Sequence, residues 1–407
     1  MSRIDDFIRQ HCPDGVVSRP IGEIAELVRG NGMPKSDFVD EGVGCIHYGQ
    51  IYTFYGTWAK ETRSFVAPAT AAKLAQVDPG DVIITNTSEN LDDVCKAVAW
   101  LGDSTIVTGG HATVLKHDQD PKFLSYYFQT QQFHADKKRL ATGTKVIDVS
   151  AKSLAKISIP LPPLEVQREI VRVLDLFQSL EAELEAELEA RRRQYAHYRD
   201  SLVQFTGESI ERLTLGEAGE LFRGRRFTKD DYVDDGLPAI HYGELYTRYG
   251  SSAVSVVTYV RAEMAPNLRF VKPGDIVIAE VGETVEDVGK ATAWLGDCEV
   301  AIHDGCYGYR HSMNPMFLAY YFQSAQFHAD KAKHVARAKL KRLSLSGLKQ
   351  IEIPVPSMTE QDRIVEVLSG FESLIEDVSI GLPAELAARR LQYEHYRDRL
   401  LMFEHAA

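Results

Sequence analysis

Apolar residues recur at helical spacing along one segment in the middle of the chain. Their intervals begin 3, 4, 3, 4, which places them on one face of an α-helix and predicts a seam for a partner helix. The apolar positions are Ile170, Val173, Phe177, Leu180, Leu184, Leu188, Tyr195, Tyr198 and Leu202. From Pro163 to Phe205 this helix would extend about 64 Å at roughly 1.5 Å per residue.

The pattern of apolar and polar positions occurs twice in the chain, which predicts a tandem repeat. Residues 21–30 (IGEIAELVRG) return as 215–224 (LGEAGELFRG), and residues 46–56 (IHYGQIYTFYG) return as 240–250 (IHYGELYTRYG). The offset between the copies is 194 residues throughout the globular part. In the second helical stripe the offset becomes 198, and we assign the four extra residues to GLPA (381–384), where Gly and Pro should bend or break the helix.

Within each copy, short apolar runs bounded by Gly, Pro and Asp predict strands. These runs are DVIIT (81–85), AVAWL (97–101) and STIV (104–107), with DIVIA (275–279), ATAWL (291–295) and CEVAI (298–302) in the second copy. The aromatic-rich run at 121–137 predicts one packed helix. Trp100 and Trp294, in apolar strands, are expected in the core.

These patterns predict an α+β fold with a tandem internal repeat in a pseudo-two-fold arrangement. Two similar domains, at 1–160 and 207–354, would be separated by two long antiparallel coiled-coil helices. The helices would occupy 161–206 and 355–407, and the second would be interrupted near 381–384.

Composition narrows the class of protein. Of 407 residues, 44% are hydrophobic and 26% charged, as in a soluble globular protein. The N-terminus lacks the apolar region of a signal peptide, and no run approaches the roughly 18 apolar residues of a membrane span. Five cysteines without CxxC spacing indicate reduced thiols. We therefore expect a cytoplasmic protein with no membrane segment.

The net charge of −12 argues against a protein that coats nucleic acid nonspecifically. However, the acidic residues crowd one helix, at 181–189, while basic residues crowd a different segment, at 331–342. The overall charge alone does not identify the partner.

The Pro-rich boxes IPLPPLEVQ (159–167) and IPVPSMTEQ (353–361), each opening a long helix after a globular copy, are similar to the specificity (S) subunit of type I restriction–modification systems. The resemblance covers essentially the whole chain. It implies two target recognition domains that each read one half of a split duplex DNA site. It also implies that the helices act as a spacer and as a docking surface for methyltransferase (M) subunits, in a complex with restriction (R) subunits. The run LEAELEAELEA (180–190) resembles the spacer repeats that influence the unread gap in that family.

The resemblance also implies a non-catalytic chain without a cofactor of its own, because S-adenosylmethionine, ATP and Mg belong to partner subunits. In agreement, the adenine-methyltransferase box is absent, since NPMF (314–317) has Met316 in place of the second Pro. A hidden nuclease centred on Asp275 and Glu280 is an alternative, but Gly282 occupies the position of its lysine. HDGC (303–306) supplies only two potential metal ligands, and the first copy lacks both, so no metal site is expected.

Base-contact candidates lie where the copies differ, because residues shared by both are expected to serve the scaffold or the phosphates. Arginine suits guanine, and asparagine suits adenine. The candidates in these loops are Asn31, Asn86, Asn90, Arg225, Arg226 and Glu280. The alternative, that surface loops simply diverge without reading bases, remains open.

Phosphate contacts need cations with less exact geometry. The candidates are Lys35, Lys145, Lys229, Arg337, Lys339, Lys341 and Arg342. Lys137 and Lys331 also align, but a solvated helix face is the favoured interpretation for them. His47 and His241, in identical HYG triplets, are interpreted mainly as core, with a shared backbone contact to DNA as an alternative.

The repeated helix tails carry the pairs Tyr195 with Tyr198 and Tyr393 with Tyr396 on one face. These tyrosines are candidates for docking a partner or for the helical seam itself. The rival hypothesis for the whole chain is a non-catalytic coiled-coil scaffold that binds other proteins, which its acidity favours.

Overall fold

In a computed structural model, which describes residues 3–205, 210–336, 340–376 and 381–403, the chain divides into two compact units. The first unit comprises Met1–Leu184 and Leu386–Ala407, and the second comprises Glu185–Glu385. Each unit is a mixture of helices and sheets, and the two five-stranded sheets have the same strand order in both units. The predicted α+β fold and its duplication are confirmed.

Two five-stranded sheets form the centre of the first unit. Sheet A has the order Ala25–Arg29, Ala112–His117, Val82–Thr85, Ala97–Trp100 and Trp58–Ala59. Sheet B has the order Phe38–Val39, Ser64–Val66, Val43–Ile46, Ile106–Thr108 and Ala75–Val77. Two further strand pairs are Ser18–Pro20 with Ser158–Pro160 and Thr87–Ser88 with Ile147–Asp148. The predicted strands at 81–85, 97–101 and 104–107 lie within this set, and Trp100 is buried.

The second unit repeats both sheets. Its sheet A has the order Gly219–Arg223, Cys306–His311, Ile276–Ala279, Ala291–Trp294 and Ser252–Ala253. Its sheet B has the order Tyr232–Val233, Thr258–Val260, Leu237–Ile240, Val300–Ile302 and Phe270–Val271. The smaller sheets are Arg212–Thr214 with Glu352–Pro354, and the order Val281–Gly282, Lys341–Leu343 and Val335–Ala336. Trp294 is buried as expected.

Short helices cover the sheets. In the first unit they are Arg3–His11, Ile21–Ile24, Tyr48–Thr53, Pro68–Ala71, Pro121–Tyr127, Gln131–Leu140 and Ala151–Leu154, with a 3₁₀ turn at Lys35–Asp37. In the second they are Leu215–Ala218, Tyr242–Thr247, Pro315–Tyr321, Ala325–Ala332 and Leu345–Lys349, with 3₁₀ turns at Lys229–Asp231 and Ala262–Asn267.

The single helix expected at 121–137 was wrong, because two helices occupy this region. Pro121–Tyr127 ends before Thr130, whose hydroxyl accepts a hydrogen bond from the backbone N–H of Phe133 and caps Gln131–Leu140. Ser324 caps the second helix in the same way in the other copy. A hydroxyl in this position favours a helix start, and therefore divides the aromatic run.

The long helix spans Leu164–Gln204, 41 residues, and its residues up to 184 belong to the first unit. There, Ile170 and Leu174 are fully buried in the same core as Tyr393 and Leu400 of the C-terminal helix, Gly381–Leu401. Leu180, predicted in the stripe, is instead 47% exposed. Leu188 and Tyr195, further along the same stripe, are buried again at 7% exposure.

The helix of the second copy spans Met358–Glu376, and the next helix begins at Gly381. Pro383 lies in the first turn of that helix, where its missing N–H removes no internal hydrogen bond. Residues 377–380 lie outside the described residues, so the interruption near 381–384 stays a prediction.

Candidate nucleic-acid interface

A buried asparagine follows the central strand of sheet A in the first unit. Asn86, 1% exposed, donates from Nδ2 to the Val149 carbonyl at 2.9 Å and accepts from the Thr113 hydroxyl at 2.8 Å. Beyond it, Thr87 pairs with Asp148 in a short antiparallel ladder. The side chain of Asn86 is thus used inside the unit, and its role here is to hold the 148–149 segment against the sheet.

The matching position in the second unit is Glu280, which is also buried, at 3% exposure. Its Oε2 lies 2.8 Å from Nε of Arg223, and its Oε1 lies 2.9 Å from Nη1 of Arg342. The ladder beyond it pairs Val281 with Arg342, at the register that pairs Thr87 with Asp148 in the first unit. The two units therefore share the backbone arrangement of this ladder. The first unit carries the acidic Asp148 at the position where the second carries the basic Arg342.

Other arginines lie near Arg223 and His303, in the same part of the second unit. Arg269 donates to the backbone carbonyl of Arg223 at 3.1 Å, and Arg226, with Arg223, acts electrostatically on His303. We call Arg223, Arg225, Arg226, Arg269 and Arg342 the arginine cluster. It is a local basic surface on a chain of net charge −12.

The pKa values of the buried groups Glu280, His241 and His303 show which residues carry the basic charge of the arginine cluster. Burial raises the pKa of Glu280, while the guanidinium groups of Arg223 and Arg342 oppose that shift by favouring its carboxylate. Burial, with the neighbouring His303, lowers the pKa of His241 to about 4. Burial also lowers the pKa of His303. Basic charge here consequently comes from the arginines.

The other base-contact candidates lie at the surface. Asn31 is exposed and donates to the Lys73 carbonyl at 2.7 Å. Asn90 is exposed and exchanges two 2.8 Å hydrogen bonds with Asp93, which closes a local turn. Arg225 and Arg226 are exposed in the arginine cluster. Whether any of them reads a base stays a prediction.

The phosphate-contact candidates that the structure describes are exposed or partly exposed. Lys35 and Lys229 each open a matching 3₁₀ turn and are exposed. Lys145 is exposed, and Lys341 is partly exposed beside Arg342 in one strand. Arg337 and Lys339 lie outside the described residues.

The solvated position expected for two aligned lysines was wrong. Lys137 and Lys331 are 4% and 1% exposed. The ammonium group of Lys137 donates to the carbonyls of Asp92 and Val94 at 2.8 and 2.6 Å, and Lys331 does the same with Glu286 and Val288. Each lysine thus anchors the loop that follows Asn86 or Glu280, because buried carbonyls need donors.

The identical HYG triplets begin helices. His47 and His241 are the N-caps of Tyr48–Thr53 and Tyr242–Thr247, and each Nδ1 accepts from the glycine N–H at 3.1 Å. This local role explains the identity of the two copies without a ligand. A contact from either histidine to DNA stays a prediction.

The tyrosines of the helix tails lie in helical seams within the units. In the first unit, Tyr393 accepts from Gln178 at 3.4 Å and Tyr396 stacks on Phe177. In the second unit, Tyr195 is 7% exposed, while Tyr198, 44% exposed, stacks on Phe371. Seam packing is thus shown for these residues, and partner docking stays a prediction.

The carboxylates of the nuclease alternative have other uses. Asp275 accepts from the Lys272 backbone N–H at 2.8 Å in a tight turn, and Glu280 holds two arginines. Cys306 is fully buried in a strand of sheet A, and His303 packs on His241 with ring centroids 4.3 Å apart. Among the described residues, no group of three His, Cys, Asp or Glu side chains could hold a metal ion.

The sequence reasoning missed two residues, one in each unit. Arg223 matches Arg29, so a search for differences between the copies passed it over. His111 has a left-handed backbone, φ 70°, and lies 2.9 Å from the Thr87 hydroxyl. Such a backbone is uncommon outside glycine and is often found at functional surfaces. The sequence signal for His111 was its position in the loop at 109–113 (GGHAT), which differs from the matching loop at 303–307 (HDGCY).

The fold defines a duplicated protein, in which two related α+β domains carry different polar residues at the same backbone positions. The sequence matches the family described as type I restriction modification DNA specificity domain over residues 13–190 and again over 208–388. The chain belongs to this family.

Individual relatives agree. The chain is 30% identical over 268 residues to the type I restriction enzyme EcoR124I/EcoR124II specificity subunit of Escherichia coli, covering 63% of this chain and 65% of that protein, just under two thirds of its length. It is 26% identical over 327 residues to a putative type I restriction enzyme specificity subunit, S.HindORF215P, of Haemophilus influenzae, covering 75% and 76%.

A solved chain from work on complex assembly and conformational transition of the type I R-M system has the same fold. Its TM-score is 0.67 at 19% identity, with 96% of this chain and 98% of that chain covered. In the described part of this chain, no helix is long and apolar enough to cross a membrane.

Proposed function

We propose that this chain is a non-catalytic DNA-recognition subunit that binds a bipartite, asymmetric duplex site. One observation carries the proposal: both units keep the same ladder, yet Arg342 stands in the second where Asp148 stands in the first. A carboxylate and a guanidinium present opposite hydrogen-bonding groups to DNA, so two such units would select different bases. Family membership supports DNA as the ligand.

The chain would position methyltransferase and restriction subunits on the bound site. S-adenosylmethionine, ATP and Mg would bind those subunits, and the chain would need no cofactor of its own. The family and the specificity-subunit relatives support this assignment. We expect the complex to work in the cytoplasm, where the five cysteines stay reduced.

The decisive experiment purifies the chain with a neighbouring methyltransferase subunit and maps methylated adenines across a genome. We expect a split motif of two different halves with a fixed gap. Methylation without a split motif, from an active complex, would refute the proposal.

The second candidate is a coiled-coil scaffold that binds other proteins, favoured by the exposed acidic residues Glu183, Glu185, Glu187 and Glu189. The dependence of duplex binding on salt concentration distinguishes the two functions. Duplex binding through phosphates weakens steeply as salt rises, whereas a protein scaffold has no duplex affinity to lose.

A further inference from the structure

The ion pairs of Glu280 give two arginines of the second unit a fixed place at the protein surface. The side chain of Glu280 is 4% exposed, whereas those of Arg223 and Arg342 are 43% and 50% exposed. The carboxylate is therefore inside the unit and both guanidinium groups reach solvent. Because long side chains lose rotamer entropy when they bind, arginines that are already held lose less.

The hydrogen-bonding capacity of these arginines is largely unused. An arginine carries five N–H donors in a planar fork. Among the described contacts, Nε of Arg223 donates to the Asp304 carbonyl and lies 2.8 Å from Oε2 of Glu280 as an ion pair without a hydrogen bond. Nη1 of Arg342 donates to Oε1 of Glu280. The remaining donors match the paired O6 and N7 acceptors that guanine presents in the major groove.

The first unit lacks this arrangement at the same backbone positions. Asn86 replaces the buried carboxylate and bonds to Thr113 and Val149, and Asp148 replaces Arg342. Arg29, the counterpart of Arg223, therefore has a neutral amide and not a carboxylate at the position that corresponds to Glu280. Of the two units as the structure describes them, only the second has two arginines paired with one buried carboxylate.

We propose that Arg223 and Arg342, held by the buried Glu280, contact guanine bases in the half-site read by the second unit. Arg223 and Arg342 are the specificity-determining residues, and Glu280 is a positioning residue that touches no base. This inference rests on the proposed function and adds to it the base class read by one unit.

The test uses the chain in complex with its methyltransferase subunit, as wild type and as Arg223→Ala, Arg342→Ala and Glu280→Gln. Motifs from genome-wide methylation should lose guanine discrimination at one or two positions of the second half-site, and the first half-site should not change. Arg29→Ala is the matched control and should leave the second half-site intact. Thermal unfolding of each complex checks that the variants are folded.

Duplexes carrying 7-deazaguanine, which lacks the N7 acceptor, test the contact itself. Wild type should lose roughly 5- to 150-fold in affinity at the contacted guanine. The variant that lacks the contacting arginine should lose nothing further at that base. Equal sensitivity of wild type and variant would overturn the contact.

Three outcomes separate the two proposals. A wild-type complex that methylates no split motif refutes the proposed function. A split motif whose second half is unchanged in both arginine variants, or contains no guanine, refutes only this inference. Uniformly weaker binding with an unchanged motif would make the arginines phosphate contacts and would also overturn it.

Discussion

Phe177 stacks on Tyr396 with ring centroids 5.4 Å apart and planes 25° apart. These residues belong to different copies of the repeat but to one compact unit. Successive contacts Phe177–Tyr396, Gln178–Tyr393 and Glu181–Arg390 run in opposite directions along the two helices, which are therefore antiparallel. The equivalent stack in the second unit joins Phe371 and Tyr198, at 6.0 Å. Each unit is thus completed by the helix tail of the other copy.

This helical pairing should contribute to the stability of the first unit. Leu174 is fully buried where the long helix meets the core, so Leu174→Ala should lower the free energy of unfolding by about 2–5 kcal/mol. Leu176→Ala, at a site 53% exposed on the same helix, should change it by less than about 0.5 kcal/mol. Denaturant unfolding followed by circular dichroism measures both. Equal effects of the two substitutions would contradict the packing.

The buried ammonium group of Lys331 should make the stability of the second unit depend on pH. Burial lowers its pKa from 10.5 to about 8. Below pH 8 both the folded and unfolded states are protonated. Between pH 8 and 10.5 the folded state releases the proton first, so the stability rises with pH, by up to about 1.4 kcal/mol per pH unit.

Lys331→Met should lack this rise, because Met does not titrate. From pH 8 to 10 the free energy of unfolding of the wild type should therefore increase relative to that of the variant. Lys333→Met, at an exposed lysine paired with Asp330, is the control and should keep it. Unfolding free energies across this pH range provide the measurement. Parallel profiles for wild type and Lys331→Met would show that Lys331 does not titrate there.

The acidic run at 180–190 should set the gap between the two half-sites. Inserting or deleting one LEAE unit changes the helix length by about 6 Å, since each residue adds about 1.5 Å. The methylation motif should keep both halves and change only its unread gap. Glu183→Gln, an exposed substitution of constant length, should leave the gap unchanged. A constant gap in the insertion and deletion variants would rule out the spacer role.

A surface lysine should affect affinity without affecting sequence. Lys229→Ala should weaken duplex binding about equally for all sequences and reduce the slope of log affinity against log salt by about 1, as expected for one lost phosphate contact. Lys349→Ala, at an exposed lysine beside Gly216, serves as the control and should leave the slope unchanged. Binding titrations at several salt concentrations measure the slope. An altered methylation motif in Lys229→Ala would instead indicate a base contact.

Much of the architecture could be predicted from local pattern. The strand runs at 81–85 and 275–279 and the helical stripe around Ile170 are periodic, and periodicity reports which face of an element is buried. The aromatic run at 121–137 was misjudged, because one capping hydroxyl, Thr130, outweighed a continuous helical spacing. Local capping decides where a helix starts, and periodicity does not.

The candidate site was less accessible to such reasoning. Glu280 and Arg342 are 62 residues apart, and Lys137 lies 43 residues from the carbonyl of Val94. Residue type suggested a solvated lysine and a base-reading glutamate. Contacts over such distances in the chain depend on which strands and loops meet, which no local pattern records.

The sequence by itself determined the duplication, the strands of the two copies, the helical stripe and the family resemblance. Each of these depends on residue order within a short segment or on comparison of two segments. Only the tertiary structure decided that Asn86, Glu280, Lys137 and Lys331 are interior groups, and that Arg223 and Arg342 share one carboxylate. The physical reason is that burial and ion pairing depend on neighbours brought together by folding, and a polar side chain takes its role from them.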